Sequence, residues 1–418
     1  MPKAGGAALA RVWLAAAGLS AGVVWGFEHP APVVGGGLCT LGGLLLCLRR
    51  KAAAGVVGII MVASGAGALD ASLHARPTAA AAIAASLPRC TIGGSVLEDD
   101  GALGTLVTVT QAVCSGFAPV HNAGTVMFPQ RVGDLGATIS ATGTLLPLQD
   151  DAFDVSRRRA GASAWFDPEA VRSQGTTSLP LKVAASIRQG IENATRSLGP
   201  PRGALVRGLT IGDTTDIDQV TVEDFRRAGL SHLLAVSGEN LAMFLGALAV
   251  VFRALPYRLR LLAYLAAIAL FVLIVGPQPS VLRAAVMGAV MVAAVGAGRR
   301  VHPLHVLATA LIVVIAFRPG MVFSVGLQLS AAATAGIVLW TRPVQRSLRR
   351  LPRFLALPLA VTVSAQAAVA PILIGTFGQL SLVSPLANLM AFPAVAPPTV
   401  LGFVRGLSRP SMLRSPEP

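Results

Sequence analysis

The chain has 418 residues, 54% of them hydrophobic and 13% charged, with 34 basic against 19 acidic side chains and a formal charge of +15. Such a composition excludes an ordinary water-soluble domain. The basic charge is no evidence for nucleic acid either: Asn240 to Pro416 holds 15 Arg and no Asp or Glu, as one-signed loops between membrane spans require.

Apolar runs long enough to cross a bilayer, about 17–25 residues each, come first near 11–27, 33–48 and 52–69. Lys3 and Arg11 give the first run the look of a signal peptide, but two further runs follow at once, so an uncleaved helix is expected. Arg49, Arg50 and Lys51 put the turn after the second run inside, with the amino terminus inside and Asp70 outside. Cys39 and Cys47 lie in the second run and are expected to be inert.

About 160 polar residues then fall outside. TIGGSVLEDD, GTLVTVTQAVC, GTVMFP and ATISATGTLLPL are short Thr- and Val-rich runs parted by Gly, Asp and Asn, a spacing that suits a small β-barrel of the OB type. OB barrels bind single strands through aromatic platforms and basic grooves. Here aromatics are few, and residues 73–200 balance ten basic against ten acidic side chains, so a structural or docking module is the competing reading. Cys90 and Cys114 share this oxidising location; a disulfide and two free thiols are both open.

Further on, LKVAASIRQGIENATRSL sets Ile187, Ile191, Ala194 and Leu198 at helical spacing, with Arg188, Glu192 and Arg196 elsewhere on the wheel. This predicts a helix lying along the membrane surface. GDTTDIDQ, Gly212 to Gln219, has three Asp at metal-like spacing but lacks the rest of a calcium loop, so turn and helix-cap roles are expected.

Seven more apolar runs lie near 233–252, 261–276, 280–298, 303–317, 321–340, 354–375 and 380–403. Counting spans puts 13 of the 15 late Arg on the inner side; the exceptions are Arg283, within a span, and Arg318, at an outer end. The chain thus reads as a polytopic α-helical membrane protein with an extracytoplasmic small β-barrel (OB-like) insertion, in the plasma (inner) membrane. The expected divisions are 1–72, amino-terminal transmembrane helices; 73–150, the extracytoplasmic β module; 151–231, extracytoplasmic linker and amphipathic helices; 232–403, the transmembrane channel core; and 404–418, a polar cytoplasmic tail.

Polar residues within the spans carry the functional signal, because burying them in hydrocarbon is costly. His232, Ser237, Glu239 and Asn240 lie at the outer end of the fourth run, where Ser237–Gly238 allows a break in the helix. Arg283 is one turn into another span, where snorkelling outward or pairing with Glu239, the acid available to the last seven spans, would satisfy it. Gln328, Ser330, Gln366 and Asn388 add neutral polar atoms, and Pro277, Pro279, Pro371, Pro385 and Pro393 suggest irregular helices around an aqueous cavity. Cavity-lining positions are accordingly expected at His232, Ser237, Glu239, Asn240, Arg283, Gln328, Ser330 and Asn388. Ser237 with His302 or His305 would make an intramembrane protease dyad, but the topology puts those histidines near the opposite face. The sequence shows no P-loop, no dinucleotide fingerprint and no His/Asp metal cluster; no cofactor, no metal and no enzymatic activity are expected.

HLLAVSG, GPQPSVLRAA, FSVGLQLSAAATAG and FGQLSLVSPLANLMAFP, in this order, resemble the ComEC competence family of DNA-uptake membrane proteins. Upstream, VGDLGATISATGTL and FDVSRRRAGASAWF are similar to the family's extracellular OB-like region, and LTIGDTTDID to its lead-in to the core. Asn240 stands where many members have His. The chain ends fifteen residues after its last run, so a shortened form without the metallo-β-lactamase-like domain of many members is expected. The resemblance implies a channel conducting single-stranded DNA into the cytoplasm during natural transformation. Its implied partners are single-stranded DNA, the lipid bilayer, a DNA receptor protein, a cytoplasmic DNA-translocating motor and further copies of the chain. The alternative is a transporter or channel for another solute, and more remotely an intramembrane hydrolase.

Overall fold

The computed structural model describes residues 3–28, 63–68, 78–99, 104–149, 151–176, 178–234, 236–381 and 383–408. The apolar run at 33–48, the Arg49–Lys51 turn, Asp70 and the tail beyond 408 lie outside the described residues, as does most of the run at 52–69. The chain forms two compact units: Met1–Lys182 with Gly276–Gln278 and Ile312–Ser324, and Val183–Val275 with Pro279–Leu311 and Val325–Pro418.

In the first unit, α1 (Lys3–Glu28) packs on the helical residues 63–68 through glycines. A Cβ on Gly67 would lie 2.4 Å from the Leu19 carbonyl oxygen, so only hydrogen fits between the backbones. A short helix, α2 (Ala79–Ala84), capped by Thr78, leads into the strands. These are β1 (Arg89–Asp99), β2 (Thr105–Cys114), β3 (Val120–Phe128), β4 (Thr138–Leu146) and β5 (Ala164–Gln174). They close a ring in the order β1-β2-β3-β5-β4, antiparallel except for the parallel β3–β5 pair. Along β4, Ile139, Ala141 and Leu145 point inward while Thr138 and Ser140 point out, the period-two pattern of a half-buried strand. The core gathers Ile92, Val96, Val107, Val126, Ile139 and Leu145, with the Phe128 and Phe166 rings 5.0 Å apart. At the β1 bulge between Gly93 and Gly94, a Cβ on Gly94 would fall 2.3 Å from the Thr108 carbonyl oxygen, so β1 and β2 meet there only because this residue is glycine.

β5 corrects the expected boundary at residue 150, since the ring needs residues 164–174 to close. Its sequence, AWFDPEAVRSQ, hides the strand because Asp167, Pro168, Glu169 and Arg172 interrupt any apolar alternation. Pro168, the register partner of Gly143, stands next to the bulge at which Glu169 is left without a partner, the kind of place where a strand tolerates a residue with no N–H.

Cys90 and Cys114 are direct register partners across β1 and β2, both buried, and are joined by a disulfide. The bridge spans 24 positions, so Cys90→Ala/Cys114→Ala should lower the stability of the ring by about 3 kcal/mol. Peptide mapping of unreduced protein checks the linkage; two free thiols in folded protein would refute it.

Between β4 and β5 lies α3 (Ala152–Arg159), capped by Asp151. Its basic triplet is engaged internally. Arg157 pairs with Asp154 at 2.6 Å and lies over the Trp165 ring, Arg158 donates to the Gln149 carbonyl, and Arg159 lies 3.8 Å over the Phe323 ring. Phe323 ends a 3₁₀ turn, Pro319–Phe323. Just ahead of it, Arg318 pairs with Glu98 of β1 and reaches the Pro277 carbonyl at 3.5 Å. One exception to the inner-side rule is therefore neutralised by a carboxylate of its own unit.

The second unit is helical. α4 (Leu179–Arg196), which begins in the first unit, is the expected amphipathic helix, but its apolar face does not lie open to lipid. Ile187 and Ile191 are buried in a core with Phe244, Phe271 and Phe403, and Arg188 donates to the Ile274 carbonyl at 3.1 Å. The stripe packs against protein because a later helix supplies Gly406, whose missing side chain leaves room for Ile191. After it come α5 (Pro200–Ile211), α6 (Gln219–Arg227), α7 (Ser231–Leu234), α8 (Gly238–Phe252), α9 (Tyr257–Val275), α10 (Pro279–Gly296), α11 (Pro303–Phe317), α12 (Val325–Ser347), α13 (Arg353–Phe377) and α14 (Ser384–Ser408), with α11 running on into the first unit.

Among the described residues, three helical stretches, Tyr257–Val275, Pro279–Gly296 and Phe354–Phe377, are long and apolar enough to cross a membrane. Phe354, Met390 and Val251 are 74%, 72% and 65% exposed, an outward display of apolar side chains that lipid solvates and water does not. Pro279 and Pro385 open helices α10 and α14, where no intrahelical N–H is lost, while Pro371 and Pro393 lie within α13 and α14. α12 and α13 touch backbone to backbone: a Cβ on Gly336 would be 2.6 Å from the Ser364 carbonyl oxygen.

Candidate functional site

The helix break expected at Ser237–Gly238 is present, since α7 ends at Leu234 and α8 starts at Gly238. Backbone groups freed by a break need partners when water is scarce. Ser237 and Ser280 supply two, and Asn240 ties the break to the end of α5. Ser237 caps α8, its Oγ accepting from the Glu239 N–H at 3.1 Å and lying 3.3 Å from the Asn240 Oδ1. Asn240 is buried, and its Nδ2 donates at 2.8 Å to the Leu209 carbonyl, one of the last four of α5 and so without an intrahelical donor. Ser280 of α10 donates from Oγ at 2.8 Å to the Val236 carbonyl inside the break.

Arg283 lies three residues after Ser280, on the same face of α10. It is 6% exposed; its Nε donates to the Ser330 Oγ of α12 at 2.9 Å, and its Nη1 is 2.9 Å from the Met287 sulfur. A Cβ on Gly238 would lie 3.6 Å from its Nη2, so the guanidinium faces the first turn of α8, where backbone N–H groups converge. The expected Glu239–Arg283 pair does not form. Glu239 is exposed on the first turn of α8, a position a carboxylate favours without any cationic partner, and among the described residues Arg283 has only neutral partners.

The other expected site residues separate from this group. His232 is within hydrogen-bonding reach of the Asn388 side chain and the Gly229 backbone. Ser384 of α14 donates to the Gly229 carbonyl at 3.1 Å, Ser381 to that of Arg227 at 3.4 Å, and Gln366 Nε2 to that of Ser381 at 3.4 Å. His232 and Asn388 thus belong to a second polar seam, joining the α6–α7 turn to the start of α14. Gly229 takes φ +71°, and a Cβ there would lie 2.7 Å from that of Ser384. Gln328 is exposed, and two positions along a helix from Ser330 it points to the opposite side. Sequence reasoning passed over Ser280, Ser381 and Ser384, although Ser280 is one helical turn before Arg283.

The Asp-rich turn is structural. Buried Arg207 pairs with Asp216 and, at 3.6 Å, with Asp213; Asp218 caps α6, accepting from the Thr221 N–H at 3.0 Å and the Thr221 hydroxyl at 2.7 Å. Those two bonds hold the Asp218 carboxyl below the usual carboxylate range. The Ser237 hydroxyl caps α8, and the His302 Nδ1 accepts from the Leu304 N–H at 3.3 Å.

Residues 209–409, which contain both polar groups, match the family described as Competence protein. The chain is 31% identical over 217 residues to ComE operon protein 3 of Bacillus subtilis, a stretch covering 50% of this chain and 27% of that protein. It is 26% identical over 211 residues to the uncharacterized protein YcaI of Escherichia coli, covering 47% of this chain and 28% of that one. The matched region thus spans little more than a quarter of either relative. No solved structure matches. The helical core, from Leu209 to Arg409, is where the chain matches the competence protein family.

Proposed function

We propose that this chain forms the membrane conduit through which single-stranded DNA enters the cytoplasm. The match to the competence family supports a role in DNA uptake, and the matched region includes the broken helix with Arg283 behind it. That arrangement suits a strand of phosphates: a pore must admit each charge and let it go. A guanidinium held by a hydroxyl and a thioether keeps an unneutralised charge for a passing phosphate, and the first turn of α8 adds N–H groups.

The finer reading has about ten spans, the amino terminus inside and the ring outside the inner membrane. The strand order and the parallel β3–β5 pair support an OB-like barrel. The conduit works without a reaction or cofactor of its own, taking DNA from a receptor protein and passing it to a cytoplasmic motor. Labelled-DNA uptake tests it: a deletion strain should import no label, and this chain supplied in trans should restore import. Normal import by the deletion strain would end the DNA reading and leave the same polar groups to another solute.

A further inference from the structure

α12 ends in a run of arginines, and the turn into α13 continues it. Arg346, Ser347, Arg349 and Arg350 line a cleft of about 420 Å³. Among the described residues these three guanidiniums are exposed and have no hydrogen-bonding or ion-pair partner, in contrast to Arg157, Arg207 and Arg318, which meet carboxylates. The turn is held in place, because α12 and α13 meet at Gly336 and the Ser347 hydroxyl donates to the Pro343 carbonyl at 3.3 Å. Before and after the cleft along the chain, Leu339 and Trp340 of α12 are 53% and 43% exposed, and Phe354, at the start of a helical stretch long enough to span a bilayer, is 74% exposed.

We propose that this turn holds the phosphate headgroup of an anionic phospholipid, with Arg346, Arg349 and Arg350 around the phosphate and Trp340 and Phe354 at the acyl boundary. Several guanidiniums without acids call for an anion, and Arg forks match phosphate oxygens. Lipid is favoured over a nucleic-acid strand because the arginines adjoin exposed apolar side chains and the start of a spanning helix, the level where headgroups lie. The inference is independent of what the conduit carries.

Native mass spectrometry of the full chain, purified with equal parts phosphatidylethanolamine and phosphatidylglycerol, tests it. Wild type should retain phosphatidylglycerol preferentially. Arg346→Gln/Arg349→Gln/Arg350→Gln should lose on the order of 100-fold of that preference, about fivefold per arginine near an anionic surface. The charge-matched Arg253→Gln/Arg299→Gln/Arg300→Gln should keep it; equal losses in both would reduce the effect to overall surface charge and overturn the site. Displacement of the lipid by a single-stranded oligonucleotide would assign the cleft to nucleic acid instead. Should the Gln triple fail to insert, the Lys triple, which keeps the charge but not the fork, must still retain less lipid than wild type; equal retention would also overturn the proposal.

Discussion

Arg283→Met is expected to abolish uptake of labelled DNA, by on the order of 100-fold or more, while leaving the protein as stable as wild type. The two halves of this result have one cause. A buried guanidinium with only a hydroxyl and a thioether for partners is itself unfavourable to folding, so an apolar side chain of similar length relieves the core of a poorly compensated charge. The Ser330 hydroxyl loses its donor, a cost of about 1 kcal/mol that the relieved desolvation offsets. Arg283→Lys should give intermediate uptake, since an ammonium keeps the charge but cannot serve Ser330 and the first turn of α8 at once. Glu239→Gln should be mild, and exchanging Glu239 and Arg283 should rescue nothing, because the two are not paired. Wild-type import by Arg283→Met would remove Arg283 from the path, and a collapsed membrane level would make its role structural.

Breaking the Glu98–Arg318 pair should have the second largest effect. Their side chains are 12% and 26% exposed, so removing either partner strands the other in a poorly hydrated place. Glu98→Gln or Arg318→Gln should each cost about 2 kcal/mol, between the surface and fully buried limits, read as a lower thermal midpoint of the purified protein. The double apolar variant, Glu98→Leu/Arg318→Leu, should recover most of that loss. Glu169→Ala is the internal control: its pair with Arg89 is 49% and 70% exposed, and its loss should shift the midpoint little. Equal effects at both pairs would mean that burial does not set their weight.

The sequence made the seven late helices legible because an apolar run with cationic ends has few other physical meanings. Their observed bounds, from Gly238–Phe252 to Ser384–Ser408, follow the expected runs closely. Four strands announced themselves through Thr and Val alternation, and the break at Ser237 through a Ser-Gly pair in an apolar setting. β5 did not, because its closure is set by partners on β3 and β4 and not by its own pattern. The Glu239–Arg283 pairing failed for a similar reason. Charge counting along a chain names the available acid, but the direction of a side chain depends on helix rotation, and Arg283 turns toward Ser330. The amphipathic stripe of α4 was visible, whereas its cover, a glycine-notched helix some two hundred residues later, was not.

The ring's strand order has a consequence for biogenesis. Before β5 is made, β4-β1-β2-β3 is an open sheet with β3 and β4 as its free edges. Ribosomes add about 5–20 residues per second, so the 28 residues from Leu146 to Gln174 leave those edges bare for roughly 1–6 s in each newborn chain. Throughout that interval the half-built module can pair with a neighbouring nascent copy, and only the arrival of Ala164–Gln174 ends the hazard.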